Sequence, residues 1–294
     1  MEVIIANPVA GRGFARKGTE MLHSDMLARQ VDHQVWFTES TGHATLLAQK
    51  AVREGVEVVW AVGGDATLSE VAGGMLGSGV PLGVIPCGTG NDLCRVLNVP
   101  ARMPLEAYRA QRQGTRGIDV WQANERIFLN VAGTGFDVET LVHSRRYRKL
   151  PGSTLPYMLA LLQTIFTHKN VHLRLTIDGE TVQKDVLLFC MGNGRYFGGG
   201  MPAAPDAILD DGLLDVVTVA PVPNWRIPFL LPKFLRGTHI GLPITTVQRA
   251  KEIRIDCGED SFFQLDGDLL GARELVVRKC EQPLLLRAVT PDAP

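Results

Sequence analysis

Cysteine is scarce in this sequence, and charge of one sign is not in excess. The five cysteines contain no Cys-x-x-Cys pair, so neither a disulfide framework nor a zinc site is predicted, and a reducing cytoplasm is favoured. They are Cys87, Cys94, Cys190, Cys257 and Cys280. The 30 Lys and Arg residues balance 31 Asp and Glu residues, which leaves a net charge of -1. Because non-specific nucleic-acid binding depends on excess positive charge, we expect no nucleic-acid partner.

Long hydrophobic runs are also missing. The longest nearly uncharged stretch, residues 155–167, is interrupted by Gln163 and Thr164 and is too short to span a bilayer. The N-terminus leads into an apolar run without a basic region before it, so we expect no signal peptide. Contact with lipid is therefore expected at a membrane surface, without a transmembrane segment.

Apolar runs alternate with segments of helical spacing in the first part of the chain. The runs are at 3–6, 34–37, 56–62 and 81–85, and the helical segments are at 21–27 and 44–52. This order predicts a parallel sheet covered by helices, in a domain that we place at residues 1–122. The total length of 294 residues leaves room for a second domain.

Period-two alternation dominates the second part. Residues 171–177 alternate, Asp178-Gly179 follows, and an apolar run returns at 182–190, which is a strong hairpin signal. The alternation recurs at 253–256 and 275–278, so this part is predicted to be mainly antiparallel. The remaining predictions are domain bounds of 123–282, a strand at 213–219, a helical insertion at 141–167, and a C-terminal segment, 283–294, that returns to the first domain.

Each apolar run of the first domain is followed by a small polar loop. Because ligands bind beyond the carboxyl ends of the strands in an open parallel sheet, four such loops predict one shared site. Glycine lets backbone N–H groups approach a phosphate closely, and a helix N-terminus adds a favourable dipole, so the predicted ligand carries phosphate. The loops are at 7–13, 38–44, 63–70 and 87–92.

One carboxylate, Asp65, lies in the third loop, just before Thr67-x-x-Glu70, which matches a capping box and predicts a helix start. A carboxylate beside bound phosphate requires a divalent cation, so Asp65 is a candidate to hold Mg2+ directly or through water. A tight turn followed by a helix cap is the alternative. The sequence contains neither a Gly-x-x-x-x-Gly-Lys-Ser/Thr loop nor Gly-x-Gly-x-x-Gly after the first run, which excludes two common nucleotide-binding motifs.

A series of motifs, in order along nearly the whole chain, resembles a known family. The first part has Asn7-Pro8-x-x-Gly11, Gly63-Gly64-Asp65-x-Thr67 and Pro86-x-Gly88-Thr89-x-Asn91-Asp92. The second part has Asn130-x-Ala132-x-x-Gly135-Phe136-Asp137, Asn193-Gly194-Arg195, Asp210-Asp211-Gly212 and Leu265-Asp266-Gly267-Asp268. Together these motifs resemble the diacylglycerol kinase catalytic domain family, which includes the soluble bacterial YegS-like lipid kinases and is related to sphingosine and ceramide kinases.

The resemblance implies an N-terminal doubly wound α/β nucleotide-binding domain, a C-terminal antiparallel β-sandwich, and an active site in the cleft between them. It also implies transfer of the γ-phosphate of Mg-ATP to a lipid hydroxyl, with diacylglycerol as the default acceptor. The residues that it assigns to ATP are Asn7, Arg12, Thr38, Gly63, Gly64, Asp65, Ala66, Thr67, Leu68, Ser69, Gly88, Thr89, Asn91 and Asp92. A structural Mg2+ or Ca2+ is implied at Ile208, Asp211 and Leu213, and an ordinary turn is the alternative there.

Phosphoryl transfer to a weakly nucleophilic hydroxyl needs a positioned base. Asp178-Gly179-Glu180 lies between two alternating runs, where Asp-Gly is needed for the hairpin turn, so we interpret it as structural. Asp266-Gly267-Asp268 has the position of the family's catalytic triplet, so Asp268 is the predicted base, with Asp266 beside it and oriented toward metal or water. The family usually has Glu at the position of Asp268. It usually has Gly at the position of Ala66, where a positive φ is expected.

Two segments, 145–149 and 228–236, combine cations with apolar side chains. Either is predicted to touch an anionic membrane surface, and a solvated helix face with a core segment is the alternative. The seven histidines have no metal-ligand spacing. We expect a cytoplasmic protein, peripheral at the inner membrane face, with a homodimer as an option and the oligomeric state left open. A kinase of a soluble substrate, related to NAD kinases, and a nucleotide- or lipid-binding protein with little turnover are the functional alternatives.

Overall fold

The computed structural model describes residues 1–112, 114–147, 154–258 and 261–287. Two compact units contain them: the first has Met1–Val120 and the chain from Cys280 onward, and the second has Trp121–Lys279. The helices are α1 (Phe14–Ala28), α2 (His43–Arg53), α3 (Asp65–Met75), α4 (Asp92–Val96), α5 (Pro104–Ala110), α6 (Phe136–Arg146), α7 (Thr154–Thr167) and α8 (Ile227–Leu235).

Short strands make up most of the remaining regular structure. They are β1 (Glu2–Ala6), β2 (His33–Phe37), β3 (Val58–Gly63), β4 (Leu82–Pro86), β5 (Thr115–Ile118), β6 (Trp121–Ala123), β7 (Arg126–Phe128), β8 (Val131–Gly135), β9 (Val171–Ile177), β10 (Glu180–Val186), β11 (Leu188–Gly192), β12 (Tyr196–Phe197), β13 (Met201–Pro202), β14 (Leu214–Val219), β15 (Thr245–Ala250), β16 (Glu252–Asp256), β17 (Phe262–Leu265), β18 (Asp268–Gly271), β19 (Glu274–Lys279) and β20 (Leu284–Arg287).

The first unit is built on a six-stranded sheet in the order β2-β1-β3-β4-β20-β5. Strands β1 to β4 are parallel, so Ala6 at the end of β1 lies level with Phe37 of β2 and Val62 of β3. Strand β20 runs parallel to β4, and β5 pairs antiparallel with β20. The central strands are buried on both faces, which explains why their sequences are continuous apolar runs. The predicted α/β domain is confirmed.

The second unit contains two antiparallel six-stranded sheets, in the orders β10-β9-β16-β19-β6-β7 and β15-β14-β11-β8-β17-β18. Their facing side chains form one core that includes Trp121, Phe128, Phe189 and Phe263. The outer face of the second sheet is covered by α7 and α8, so β8, β11 and β14 are buried along their whole length. The predicted antiparallel β-sandwich is confirmed.

Two segments of this unit differ from the sequence prediction. The run at 182–190 was expected to be one strand, but the chain leaves the first sheet after Val186 and enters the second sheet at Leu188. The helical insertion at 141–167 consists of two helices, α6 and α7, and residues 148–153 lie outside the described residues. The predicted Asp178-Gly179 turn between β9 and β10 is confirmed, with φ angles of 47° and 92°.

Candidate active site

The four polar loops follow β1, β2, β3 and β4, and they meet at the carboxyl edge of the parallel sheet. Residues 7–13 are called loop 1, 38–44 loop 2, 63–70 loop 3 and 87–92 loop 4. A Cβ on Gly11 of loop 1 would overlap the carbonyl oxygen of Cys87 in loop 4. A Cβ on Gly88 would lie 2.5 Å from the Cα of Gly64 in loop 3. Glycine is therefore required where these loops touch.

Side chains connect the same loops. Asn7 Nδ2 donates a hydrogen bond to Thr67 Oγ1 at 3.3 Å, which joins loop 1 to loop 3. The N–H of Gly42 in loop 2 donates to Glu70 Oε1 at 2.9 Å. The predicted capping box is wrong, because α3 begins at Asp65, after Gly64, and the carboxylate of Glu70 binds loop 2 instead.

Asp65 joins loop 3 to loop 4. Its Oδ2 accepts the N–H of Asn91 at 2.7 Å, and its Oδ1 accepts the N–H of Asp92 at 2.8 Å. Asn91 has a left-handed backbone, with a φ of 53°, and its side-chain amide bonds to the N–H and the carbonyl of Gly88, each at 3.0 Å. These contacts give loop 4 a defined shape at the start of α4.

The carboxylates of Asp65 and Asp92 lie close together. A Cβ on Gly90 would be 2.9 Å from Asp65 Oδ2 and 3.3 Å from Asp92 Oδ2. Burial raises the pKa of the Cys94 thiol well above its usual value, and these two carboxylates raise it further. Within the described ranges no group of three or more His, Cys, Asp or Glu side chains could hold a metal alone. Two carboxylates do suit Mg2+, because proteins bind it with one or two carboxylates plus substrate phosphates.

Five residues that the resemblance assigns to ATP lie in α3, and three of them, Ala66, Leu68 and Ser69, have not yet been placed. Leu68 is only 3% exposed and packs into the core, so its side chain is turned away from the loops. Ser69 is partly buried in the second turn of the helix, while Ala66 is exposed in the first turn. The expected positive φ at Ala66 is wrong, because this residue has helical backbone geometry and its methyl group meets no conformational barrier.

Three other residues of this set lie at the sheet edge. The N–H of Thr38 donates to the carbonyl of Ala6 at 2.9 Å, which places Thr38 directly after β2. Arg12 and Thr89 have exposed side chains in loops 1 and 4. The first unit therefore brings together the predicted nucleotide residues, with Leu68 contributing packing.

The second unit contains the predicted base. Asp266 and Gly267 form the turn between β17 and β18, with φ angles of 49° and 88°. Asp266 Oδ2 accepts the N–H of Leu129 at 2.7 Å, and its Oδ1 accepts the N–H groups of Asn130 at 2.9 Å and Val131 at 3.0 Å. Asp266 was expected to be oriented toward metal or water, and the structure shows its carboxylate holding the backbone at the start of β8.

Asp268 is the first residue of β18, and its side chain is 46% exposed. Its Oδ2 lies 3.3 Å from Nη2 of Arg126. A carboxylate in this position is accessible to a substrate hydroxyl and is oriented by the guanidinium. Sequence reasoning missed Arg126, because nothing in its local pattern separates it from other exposed cations near turns.

An arginine pairs with the carboxylate of the segment that was expected to bind a structural cation. Asp211 Oδ1 accepts the N–H of Leu213 at 3.0 Å, and Asp211 Oδ2 pairs with Arg249. Arg249 Nε also lies 3.3 Å from Asp215 Oδ1. The guanidinium supplies positive charge beside the Asp211 carboxylate, as in an ordinary turn closed by an ion pair, and the structural cation at Ile208, Asp211 and Leu213 stays a prediction.

A cavity of about 350 Å³ lies in the second unit, between α6, α7, α8 and the loop around Gly199. Its walls are mostly apolar and include Phe136, Leu161, Leu231 and Phe234. Among the described residues that line it, Asp137 is the one acid. Sequence reasoning quoted Asp137 within a motif without giving it a role, although an acid directly after Gly135-Phe136 is the signal that could have found it.

An exposed apolar surface adjoins this cavity. Leu155, Met158, Leu162 and Phe166 are exposed, and their spacing of three and four residues puts them on one face of α7. Trp225 is 69% exposed. Its neighbour Asn224 bonds through Nδ2 to the carbonyl of His168, just beyond α7, at 3.1 Å. In the described ranges, none of the helices combines the length and the hydrophobicity needed to cross a membrane.

Cations flank the apolar surface. Arg226, Lys233 and Arg236 are exposed in and around α8, and Arg145 and Arg146 are exposed at the end of α6. The rest of the predicted basic cluster, Arg148 and Lys149, lies outside the described residues.

Two family models match this chain. The diacylglycerol kinase catalytic domain matches residues 2–123, and the YegS C-terminal NAD kinase beta sandwich-like domain matches residues 130–290. The diacylglycerol kinase of Mycobacterium tuberculosis is 32% identical over 272 residues, which cover 90% of this chain and 87% of the relative.

Solved structures have the same fold. A crystal structure of a candidate diacylglycerol kinase from Bacillus anthracis str. Sterne has a TM-score of 0.77 and 25% identity, and the match covers 98% of this chain and 96% of that one. An NAD kinase from Archaeoglobus fulgidus in complex with ATP has a TM-score of 0.54 and 13% identity, with coverage of 98% and 94%, which shows the fold alone. The chain belongs to the diacylglycerol kinase family and is a kinase.

Proposed function

We propose that this protein is an ATP-dependent lipid kinase that transfers the γ-phosphate of Mg-ATP to the hydroxyl of a diacylglycerol-like lipid. The observation that carries the lipid acceptor is the apolar cavity among α6, α7 and α8, whose walls suit an acyl chain and offer little to a polar substrate. The curated relative from Mycobacterium tuberculosis is named a diacylglycerol kinase, which agrees with this acceptor.

The nucleotide would be bound by the four loops of the first unit. Glycine at positions 11, 64 and 88 lets loops 1, 3 and 4 pack closely against one another, and this packing would gather their backbone N–H groups at one edge for phosphate oxygens. Asp65 and Asp92 would hold Mg2+, which when bound offsets the negative charge of the transferred phosphoryl group. Asn7 and Asn91 maintain the relative positions of loops 1, 3 and 4 through their hydrogen bonds.

The acceptor hydroxyl would be activated by Asp268 of the second unit. The Asp268 carboxylate takes the hydroxyl proton, the hydroxyl oxygen forms a bond to the γ-phosphorus, and the bond from that phosphorus to the bridging oxygen of ADP breaks. Arg126 orients the carboxylate from 3.3 Å. Asp266 is a positioning residue, because its three backbone hydrogen bonds hold the turn that carries Asp268.

The lipid would be reached from the surface of an anionic leaflet. Met158 of α7 and Leu235 of α8 both line the cavity and are more than half exposed. The exposed apolar surface is therefore continuous with the cavity. The cations around α8 and at the end of α6 complement anionic headgroups. Apolar insertion and basic attraction together are what a peripheral interfacial protein uses.

The proposal is tested by incubating the protein with γ-labelled ATP, Mg2+ and either membrane-lipid vesicles or a soluble metabolite extract, and separating the products by thin-layer chromatography. We expect label in a lipid that co-migrates with a phosphorylated diacylglycerol. Label in a water-soluble product would instead favour a kinase of the NAD-kinase type. Nucleotide binding without a labelled product would favour a binding protein.

Matched variants assign the site. We expect Asp65→Asn and Asp268→Asn to abolish transfer and Glu180→Gln, in the other Asp-Gly triplet, to leave it unchanged. Full activity in both the Asp65 and the Asp268 variant would refute the proposed site while leaving the kinase activity in place.

A further inference from the structure

The apolar cavity contains an ionisable group that phosphoryl transfer does not use. Asp137 is in the first turn of α6, and its carboxyl group lines the cavity. Within the described part of the chain, Asp137 Oδ1 is buried and has no hydrogen-bond partner. Burial raises the pKa of Asp137 to about 6, although nearby backbone N–H groups and the charge on His168 act against this rise.

The groups around Asp137 come from several elements. His168 follows α7 and is held by Glu139 of α6, at 2.7 Å between Nδ1 and Oε2. Cys190 of β11 lies near Asp137, and burial keeps its thiol neutral by raising its pKa far above its usual value. The phenol of Tyr157 from α7 lines the same cavity, and the lining side chains of α8 are uncharged. His168 is therefore the basic side chain that faces Asp137, and its charge acts to lower the pKa of Asp137.

We propose that the cavity binds an acyl chain together with a proton, so that neutral Asp137 admits the chain and ionised Asp137 opposes it. The proposal deepens the proposed function, because it assumes that the cavity is where the lipid acceptor places its acyl chain. It makes Asp137 a specificity-determining residue that links lipid binding to pH.

The physical reason is desolvation of the carboxyl group. Hydrocarbon entering the cavity removes water from the part of Asp137 that is still exposed and can offer no hydrogen bond to its carboxyl group. An ionised group without a partner in such surroundings costs far more than a neutral one, and protonation relieves this cost. The bound chain therefore shifts Asp137 further toward its neutral form.

The sign of the pH dependence follows from this linkage. Because the chain raises the pKa of Asp137 above its value of about 6 in the free protein, binding takes up a proton in the interval above pH 6. Affinity is highest at and below about pH 6, and it falls by up to about tenfold per pH unit above that value. The affinity becomes constant again once Asp137 is ionised in both the free and the bound protein.

The test measures binding alone, without nucleotide or turnover. A monoacylglycerol with a fluorescent acyl chain, which is uncharged from pH 5 to pH 8, is titrated into the full-length protein. We expect the dissociation constant of the wild type to rise about tenfold between pH 6.5 and pH 7.5. Asp137→Asn, whose amide is neutral at every pH, is expected to bind tightly and without pH dependence.

Controls separate Asp137 from its neighbours. Glu139→Gln changes the acid that holds His168 and is expected to keep a pH-dependent affinity, because Asp137 is still present to take up the proton. His168→Gln removes the facing basic side chain and is expected to move the fall in affinity to higher pH. An unchanged pH dependence in Asp137→Asn would overturn the proposal.

A measurement on the wild type makes the test independent of how the variants fold. Calorimetric titration with the same probe at pH 7, in buffers of different ionisation enthalpy, is expected to show net proton uptake on binding. Tight binding with no proton uptake and no pH dependence would overturn the proton linkage while leaving the lipid-kinase proposal standing. Failure of the probe to bind at any pH would overturn both.

Discussion

Two hairpins of the second unit have the same turn in different surroundings. Asp178-Gly179 joins β9 to β10 with φ angles of 47° and 92°, and Asp266-Gly267 joins β17 to β18 with 49° and 88°. In each turn the aspartate accepts backbone N–H groups from another segment. Asp178 Oδ1 accepts those of Lys251 at 3.0 Å and Glu252 at 2.9 Å, whereas Asp266 accepts three.

The difference lies in what surrounds each turn. The first turn is exposed, and so is Glu180, the first residue of the outermost strand of its sheet. In the second hairpin, Asp266 is partly buried against the start of β8, and the acid after the turn, Asp268, pairs with Arg126. An Asp-Gly pair therefore predicts the turn but does not separate a structural acid from a catalytic one, because the reason for interpreting Asp178 as structural applies equally to Asp266.

Substituting the acid that follows each turn is expected to have the largest effect, and this effect is on the rate of phosphate transfer. Asp268→Asn removes the proposed base, and phosphate transfer to lipid should fall by about 10² to 10⁴ fold, the usual contribution of general base catalysis. Glu180→Gln should leave the initial rate unchanged. Both rates are measured as labelled phosphate transferred to diacylglycerol vesicles. Equal rates in the two variants would show that Asp268 and Glu180 do not differ in their role in catalysis.

Substituting the turn aspartates is expected to lower the free energy of unfolding. Asp266→Asn replaces an acceptor oxygen with an amide that faces backbone N–H groups, and the second unit should lose about 2 to 3 kcal/mol. Asp178→Asn should cost about 1 kcal/mol, since water can reach the N–H groups of the exposed turn. Urea denaturation followed by tryptophan fluorescence measures both. A larger loss in Asp178→Asn would contradict the burial difference.

Substituting the turn glycines is expected to have a smaller effect on stability, and the effect should be the same in both turns. A Cβ on Gly179 or Gly267 would meet no described atom within 4 Å, so only the left-handed backbone opposes a side chain. Gly179→Ala and Gly267→Ala should each cost about 1 to 2 kcal/mol. The same denaturation experiment checks this, and clearly unequal costs would show that the two turns are strained differently.

Substituting the arginines that pair with acids of the two sheets is expected to change stability least. Arg126 pairs with Asp268 at 3.3 Å and Arg278 pairs with Glu252 at 2.8 Å, both at exposed positions. Arg126→Gln and Arg278→Gln should each cost less than about 1 kcal/mol. Only Arg126→Gln should also lower the rate of transfer, through the orientation of Asp268, and this is seen by comparing rates at saturating lipid. A slower Arg278→Gln enzyme would weaken the assignment of Arg126.

The secondary structure was largely predictable from the sequence. The run at 81–85 corresponds to β4 at Leu82–Pro86, and the alternating segment at 171–177 coincides with β9. These predictions succeed because a strand buried on one face has alternating apolar residues and a strand buried on both faces has a continuous apolar run, and both patterns can be read from the sequence. The division of the run at 182–190 into strands of two different sheets was not predictable, because an apolar residue is equally suited to either sheet of a sandwich.

Side-chain partners were predicted less well. The capping box failed because Glu70 binds the N–H of Gly42, 28 residues away. The pairing of Asp211 with Arg249, 38 residues away, was not predicted either. The cavity was not predicted at all, since it depends on three helices that converge on one sheet face.

By itself the sequence determined the two fold classes, the four glycine loops that follow the parallel strands, and the two Asp-Gly turns, because each depends on hydrophobic period or on local backbone preference. Only the tertiary structure decided that Asp266 holds backbone while Asp268 faces solvent beside Arg126, and that Asp137 lies in an apolar cavity. These properties depend on which distant residues become neighbours, and packing decides that after the local structure has formed.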